Sequence, residues 1–343
     1  MSYKLGILDQ SPVFPGTHAY HALQKTVHLA RKAEEWGYSR FWVSEHHHAK
    51  DVSGSSPEVL ISYLLARTHS IRIGSGGVML QHYSPYKVAE NFHVLSSLAP
   101  GRVDLGIGKA PGGLPLSTKA LQFGTINDGN DFEERASLLK KIIENSVEDY
   151  HPLAGILATP VPPEAPETFL LGASSKSAEL AAELGYGFVF AQFINSDRTA
   201  LEEAARAYRQ RLPNGRLIVA VGVVAAPTQQ EAEQLAGDQK NIKVHLQSGR
   251  SVTVKSLEQA KSFGDQAGEP YEIEEQEANL IAGTSIYVKE ILSELANTYQ
   301  VDEFILHTPI PKEAERLRSF QLISELHSKD EVNKIKGNEE YVS

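Results

Sequence analysis

The chain has 343 residues, 41% of them hydrophobic and 22% charged, with a net charge of −10 and no cysteine. That length can bury one large core or two smaller ones. The missing cysteines remove disulfides, thiolate metal sites, iron–sulfur clusters and cysteine nucleophiles together. The acidic balance, without any cluster of Lys and Arg, takes away the electrostatic footprint of nucleic-acid and anionic-membrane binding. No apolar run approaches the ~20 residues of a membrane-spanning helix. The opening "MSYKLGILDQSP" lacks a basic segment followed by a long apolar stretch, so a cytoplasmic protein is expected.

After a first β-rich run, "KLGIL", one arrangement recurs: an amphipathic helix, a glycine stop, a short strand. In "TVHLARKAEEWGYSRFWVSE", Val27, Ala30, Ala33 and Trp36 share one helical face. Gly37 then stands where a glycine ends a helix, and "RFWV" is strand-like. "SPEVLISYLLARTHSIRIGSGGVML" is helix then strand, with Ser56 as the N-cap and Pro57 at the first helical position. "SPYKVAENFHVLSSLAPGRVDLGIG" repeats that plan from Ser84-Pro85. "TFLLG" follows, then "SKSAELAAELGYGFVFAQF" with Gly185 as the stop, then "LIVAVGVVA". The last unit, "SIYVKEILSELANTYQVDEFILHTP", ends in the strand "EFILH".

Eight strands alternating with helices predict parallel βα units, closed as an open doubly wound sheet or as a (β/α)8 TIM barrel. The count of eight favours the barrel, which averages ~250 residues and tolerates insertions. The surplus falls in two insertions, approximately 109–131 after strand four and 237–281 after strand seven. Both follow strand C-termini, the face where barrel active sites are built, so both are candidate lids. One domain over 1–327 is expected, with 328–343 as a polar tail, either frayed or a surface helix. The helices in "SPEVLISYLLARTHS" and "KVAENFHVLSSLA" are apolar over more of their circumference than a barrel contact requires, which predicts a homodimer unless the insertions cover them.

Four stretches carry chemistry. In "SEHHHAK" (44–50), strand alternation puts Ser44, His46 and His48 on one side and Glu45 and His47 on the other. A metal site could use His46 and His48 but lacks a further ligand beyond Asp51, and there is no HExxH. An inward imidazole as general acid/base needs only one histidine, and solvated loop histidines remain the plain alternative. In "FLLGASSKSAEL", Gly172 precedes Ser174, Ser175 and Ser177 at a helix start, an arrangement suited to an anion or to simple N-capping. "IRIGSGGVML" places Gly74, Gly76 and Gly77 at a strand end, where either a flat ligand approaches the backbone or a bulge interrupts the strand. "DLGIGKAPGG" lacks the GxGxxG spacing of a dinucleotide loop, and its Lys109 is a candidate phosphate contact.

Together "FWVSEHHHA", "IRIGSGGVML", "GRVDLGIG" and "LGASSKSAELAAELGYG" resemble the bacterial luciferase-like flavin monooxygenases, over residues 3–195 and again at "AGTSIYVKEILSELA". The similarity is to single-type chains beginning "LDQSPV", not to the light-emitting subunits. The resemblance implies a barrel that binds reduced FMN at its strand C-termini, with FMN supplied by a separate flavin reductase. It implies His46 as the active-site histidine beside the flavin and His47 as its neighbour. Gly76-Gly77 match a non-prolyl cis peptide under the ring. Ser174, Ser177 and Lys109 match phosphate-binding positions, with Ser175 between them. The implied reaction adds O2 to give a flavin C4a-hydroperoxide that oxygenates a small organic substrate. A dehydrogenase using F420 on the same fold, a non-catalytic flavin-binding protein and a metal-dependent barrel hydrolase are the alternatives. Gly108 stands where luciferase has a reactive cysteine, so light emission is not implied.

Overall fold

Eight parallel strands close on themselves in the computed structural model, which describes residues 3–125, 127 and 129–339. In chain order these are β1 (Lys4–Asp9), β2 (Arg40–Val43), β3 (Arg72–Met79), β4 (Val103–Gly108), β5 (Glu167–Gly172), β6 (Gly187–Ala191) and β7 (Leu217–Ala225). Three further strands, β8 (Lys240–Leu246), β9 (Ser251–Val254) and β10 (Tyr271–Glu277), form a separate antiparallel sheet. Strand β11 (Leu280–Gly283) adds in parallel to β7, and β12 (Glu303–His307) continues the ring by pairing with both β7 and β1. The pairing of β6 with β7 closes it. The molecule is a TIM barrel, and each of the eight strands read from the sequence is one of its staves.

The helices are α1 (Ala19–Glu35), α2 (Pro57–Leu65), α3 (Pro85–Leu98), α4 (Pro115–Leu121), α5 (Phe132–Ile143) and α6 (Ser175–Glu183). They continue with α7 (Arg198–Arg211), α8 (Gln229–Ala236), α9 (Leu257–Ala267), α10 (Ser285–Tyr299) and α11 (Glu313–Glu339). Gly37 and Gly185 follow α1 and α6 with φ of +79° and +67°, the left-handed turn that lets the chain leave a helix and enter the next strand. Ser56 precedes Pro57, but its hydroxyl makes no capping bond. The last helix runs without a break across the 327/328 boundary at which a tail was expected. Residues 340–343 of that tail lie outside the described residues.

Inside the ring, Leu8, Trp42, Phe169, Val189, Ile218, Ala220 and Ile305 form a closed apolar layer. Below it, at the strand N-termini, Arg40 reaches Asp104 and Glu303, both at 2.8 Å, and Trp42 Nε1 donates to the same Asp104 at 2.8 Å. All four side chains are buried, so each charge is neutralised by a partner rather than by water. With this end sealed, the opposite end of the strands is left for ligands.

Both insertions lie at that C-terminal end. The second is the β8–β10 sheet, packed on α9 through Ile242, Val244, Leu246, Ala260 and Phe263. Leu114 of the first insertion joins that cluster, and the Leu116 amide donates to Gln266 Oε1 at 3.1 Å. The two insertions therefore form one cover.

Candidate active site

The segment that follows β2 keeps the strand's alternation. Ser44 Oγ and His46 Nδ1 are 3.1 Å apart on one side. On the other, Glu45 is fully buried; its Oε1 accepts from His47 Nε2 and the Tyr83 hydroxyl, each at 2.7 Å, and its Oε2 from the Met79 amide at 3.0 Å. The His47 amide donates to the Gly112 carbonyl at 2.7 Å, tying this loop to the first insertion. Glu45 and His47 thus fix the strand end, while His46 projects from it with Nε2 free of the Ser44 contact. Burial is the main reason the His46 pKa lies below the ordinary histidine value; Asp51 opposes this. The imidazole is therefore neutral near pH 7. His48 is exposed, with backbone in the left-handed region at φ +53°.

The first insertion is anchored by a second histidine. His82 Nε2 donates to the Pro111 carbonyl at 2.9 Å, and its Nδ1 accepts from Gln122 Nε2 at 3.1 Å. Among the described residues, no group of three or more His, Asp or Glu side chains converges as a metal site.

Gly76 and Gly77 form a bulge in β3. The register passes from Ser75 opposite Leu105 to Val78 opposite Ile107, and the peptide between the two glycines is cis. A Cβ on Gly76 would lie 2.9 Å from Leu8 Cδ1, and one on Gly77 would lie 2.8 Å from the Gly106 carbonyl oxygen. Close packing inside the protein accounts for both glycines and the bulge is present, and the peptide between them is cis, as the resemblance implied.

At the start of α6, Ser174 caps the helix by accepting from the Ser177 amide at 3.3 Å, and the two hydroxyls are 3.1 Å apart. Ser175 is the first helical residue. Lys109 follows β4, exposed, its chain passing over Gly129. These residues occupy adjacent positions of the ring, because β4 pairs with β5. A cationic side chain, two hydroxyls and the free amides of a helix N-terminus suit a phosphate.

Several groups at the mouth were not found from the sequence. His307 ends β12, buried, with Nδ1 lacking a partner. Gln192 Oε1 and Thr308 Oγ1, just beyond β6 and β12, are likewise buried without partners. Asn241 and Lys255 arrive from the second insertion. Polar groups at the ends of "FVFAQF" and "EFILHTP" were the available signal, since barrel chemistry gathers at strand C-termini. Of these, His307 continues the inward-facing positions of β12 held by Glu303 and Ile305, whereas Thr308 points the other way by alternation.

The barrel thus carries a histidine at the end of β2, a glycine bulge in β3 and a phosphate-suited cradle after β4 and β5 at one end. The chain belongs to the luciferase-like monooxygenases, whose family model matches residues 3–298. It is 48% identical over 325 residues to the N-acetyl-S-alkylcysteine monooxygenase of Bacillus subtilis, covering 94% of this chain and 97% of that one. Among solved structures, apo-MsnO8 shares the fold with a TM-score of 0.76 at 32% identity, over 94% of this chain and 98% of that one. The oxygenating constituent of 3,6-diketocamphane monooxygenase from Pseudomonas putida, in complex with FMN, does so with a TM-score of 0.68 at 20% identity, over 94% and 97%. An F420-dependent secondary alcohol dehydrogenase also has this fold, with a TM-score of 0.63 at 17% identity, over 94% and 98%.

Proposed function

We propose that the protein is a monooxygenase that binds reduced FMN from a separate reductase and inserts one atom of O2 into a small organic thioether of the N-acetyl-S-alkylcysteine type. The observation that carries this is the neutral, half-buried His46 at the end of β2, at the same strand-end face as the inward His307 and the Ser174, Ser177 and Lys109 cradle. Ser174, Ser177, Ser175 and Lys109 would hold the phosphate, and the backbone of Gly76-Gly77 would lie against the ring. When bound, reduced FMN supplies the two electrons with which O2 yields one oxygen to the product and one to water. The protein's part is to position, to keep water out and to move a proton. With Ser44 Oγ–H donating to Nδ1, His46 carries its proton on Nε2, where it can be given to developing negative charge on oxygen.

The insertions leave Val59 and Tyr63 of α2 and Val94 and Leu98 of α3 exposed. That apolar face is the proposed homodimer contact.

Anaerobic titration with reduced FMN, and in parallel with reduced F420, tests the cofactor. Saturable binding of FMN and not F420 is expected. His46→Ala should keep FMN affinity but release hydrogen peroxide instead of oxygenated product; full coupled turnover in that variant would remove His46 from the chemistry.

A further inference from the structure

The second insertion carries a positive charge to the barrel mouth with no carboxylate paired to it among the described residues. In its sheet Ile242 is opposite Val254 and Lys243 opposite Thr253. Ile242, Val244 and Leu246 face the insertion's own core with Val252 and Val254. Alternation turns Asn241 and Lys255 to the other face. There Lys255 Nζ donates to Asn241 Oδ1 at 3.1 Å. Buried Asn241 in turn donates through Nδ2 to the Phe193 carbonyl at 3.0 Å, just beyond β6. The Phe193 ring lies against that of His307, centroids 5.4 Å apart. A continuous chain of contacts therefore joins the ammonium to the end of the last barrel strand.

Lys255 keeps solvent contact, yet surrounding protein desolvates it enough to lower its pKa. An ammonium lining a cleft has both properties. Its charge acts on His46 and on His307, which stand at the ends of β2 and β12 on either side of β1. Among the described residues no carboxylate is paired with it, and desolvation alone sets its shift. A partly desolvated cation held by one neutral oxygen favours an incoming anion. Two anions are available, a flavin phosphate and a substrate carboxylate. His46 and His307 end β2 and β12, and β12 lies across the ring from β4 and its Lys109. Asn241 itself is held at the end of β6, beside β5, so FMN affinity in the variants is what separates a phosphate contact from a carboxylate one.

We propose that Lys255, held in place by Asn241, is the anchor for a carboxylate on the substrate and makes the site selective for small organic acids over their uncharged analogues. This deepens the flavin monooxygenase reading and rests on it.

The test is calorimetric titration of FMN-saturated protein with N-acetyl-S-ethylcysteine and with its uncharged primary amide. The acid should bind at least about tenfold tighter than the amide, the size of a charge-assisted hydrogen bond. Lys255→Met should abolish that preference with FMN affinity unchanged, and Lys255→Arg should retain most of it. Asn241→Asp, which supplies an internal carboxylate, should also abolish it. Equal binding of acid and amide by the wild type, or binding of neither, overturns the assignment, and so does a Lys255→Met protein that loses FMN affinity rather than acid affinity. If the wild type fails to bind FMN at all, the flavin reading falls, while the acid-to-amide ratio measured on the protein alone still decides Lys255.

Discussion

Replacing His307 by glutamine should remove part of the protein's sensitivity to acid. His307 is buried at the end of β12, and its pKa is pushed from 6.5 to about 3, first by desolvation and then by the charges of Lys255, Arg316 and His46. A folded-state pKa below that of the unfolded chain means that the unfolded chain takes up the proton first as pH falls. The stabilisation is therefore complete above pH 6.5 and is lost progressively as pH drops from there toward 3. Between pH 7 and pH 5 the linkage amounts to about 2 kcal/mol, at about 1.4 kcal/mol per unit. Equilibrium urea unfolding of wild type and His307→Gln at both pH values isolates it, because every other titrating group is common to the two proteins. Whatever the substitution costs at neutral pH cancels in the double difference. The wild type should lose about 2 kcal/mol more than the variant over that interval. Equal losses would refute the placement of a neutral imidazole in a desolvated site.

Three further outcomes are expected. Glu45→Gln leaves one of three buried donors facing an amide nitrogen that cannot accept, and should cost about 2–4 kcal/mol in the same unfolding assay; an unchanged midpoint would show that the carboxylate is not what holds this strand end. Gly77→Ala drives a methyl against the Gly106 carbonyl, which belongs to a neighbouring strand and cannot swing aside, and should destabilise by about 1–3 kcal/mol. A Gly77→Ala variant as stable as wild type would mean that β3 and β4 are further apart than described. Leu98→Glu, at a residue 70% exposed, should leave the fold intact and shift sedimentation equilibrium from dimer to monomer; an unshifted dimer would place the interface elsewhere.

The barrel was legible because each stave has its own apolar run and several are announced a second time by the helix and glycine that precede them. Gly37 before "RFWV" and Gly185 before "FVFAQF" are turns that can be read without knowing what they pack against. The second insertion lacked such signs. "YEIEEQE" alternates charge with charge, and only the period of two in "KNIKVHL" hints at a strand whose Ile242, Val244 and Leu246 share a face. Parallel strands buried on both sides advertise themselves, whereas an antiparallel sheet with one wet face does not. The candidate site was readable where its groups are sequential, as in "SEHHHAK" and "ASSKS". It was hidden where the structure assembles it from distant segments. Lys255, Asn241, Phe193 and His307 come from separate stretches of chain, and no spacing rule connects them. The glycines of β3 were conspicuous in the sequence, but the reason for them, the proximity of Leu8 and Gly106, belongs to the closed ring.

The ion network of Arg40, Asp104 and Glu303 and the cover built from the two insertions sit at opposite poles of the barrel. Durability is invested at one pole and discrimination at the other, with a layer of apolar side chains between them. Change can therefore accumulate in the β8–β10 sheet, even to wholesale exchange of that segment for another, without weakening the charges that close the far end. A fold arranged this way can vary the cover, both insertions together, while the charges that close the far end stay as they are.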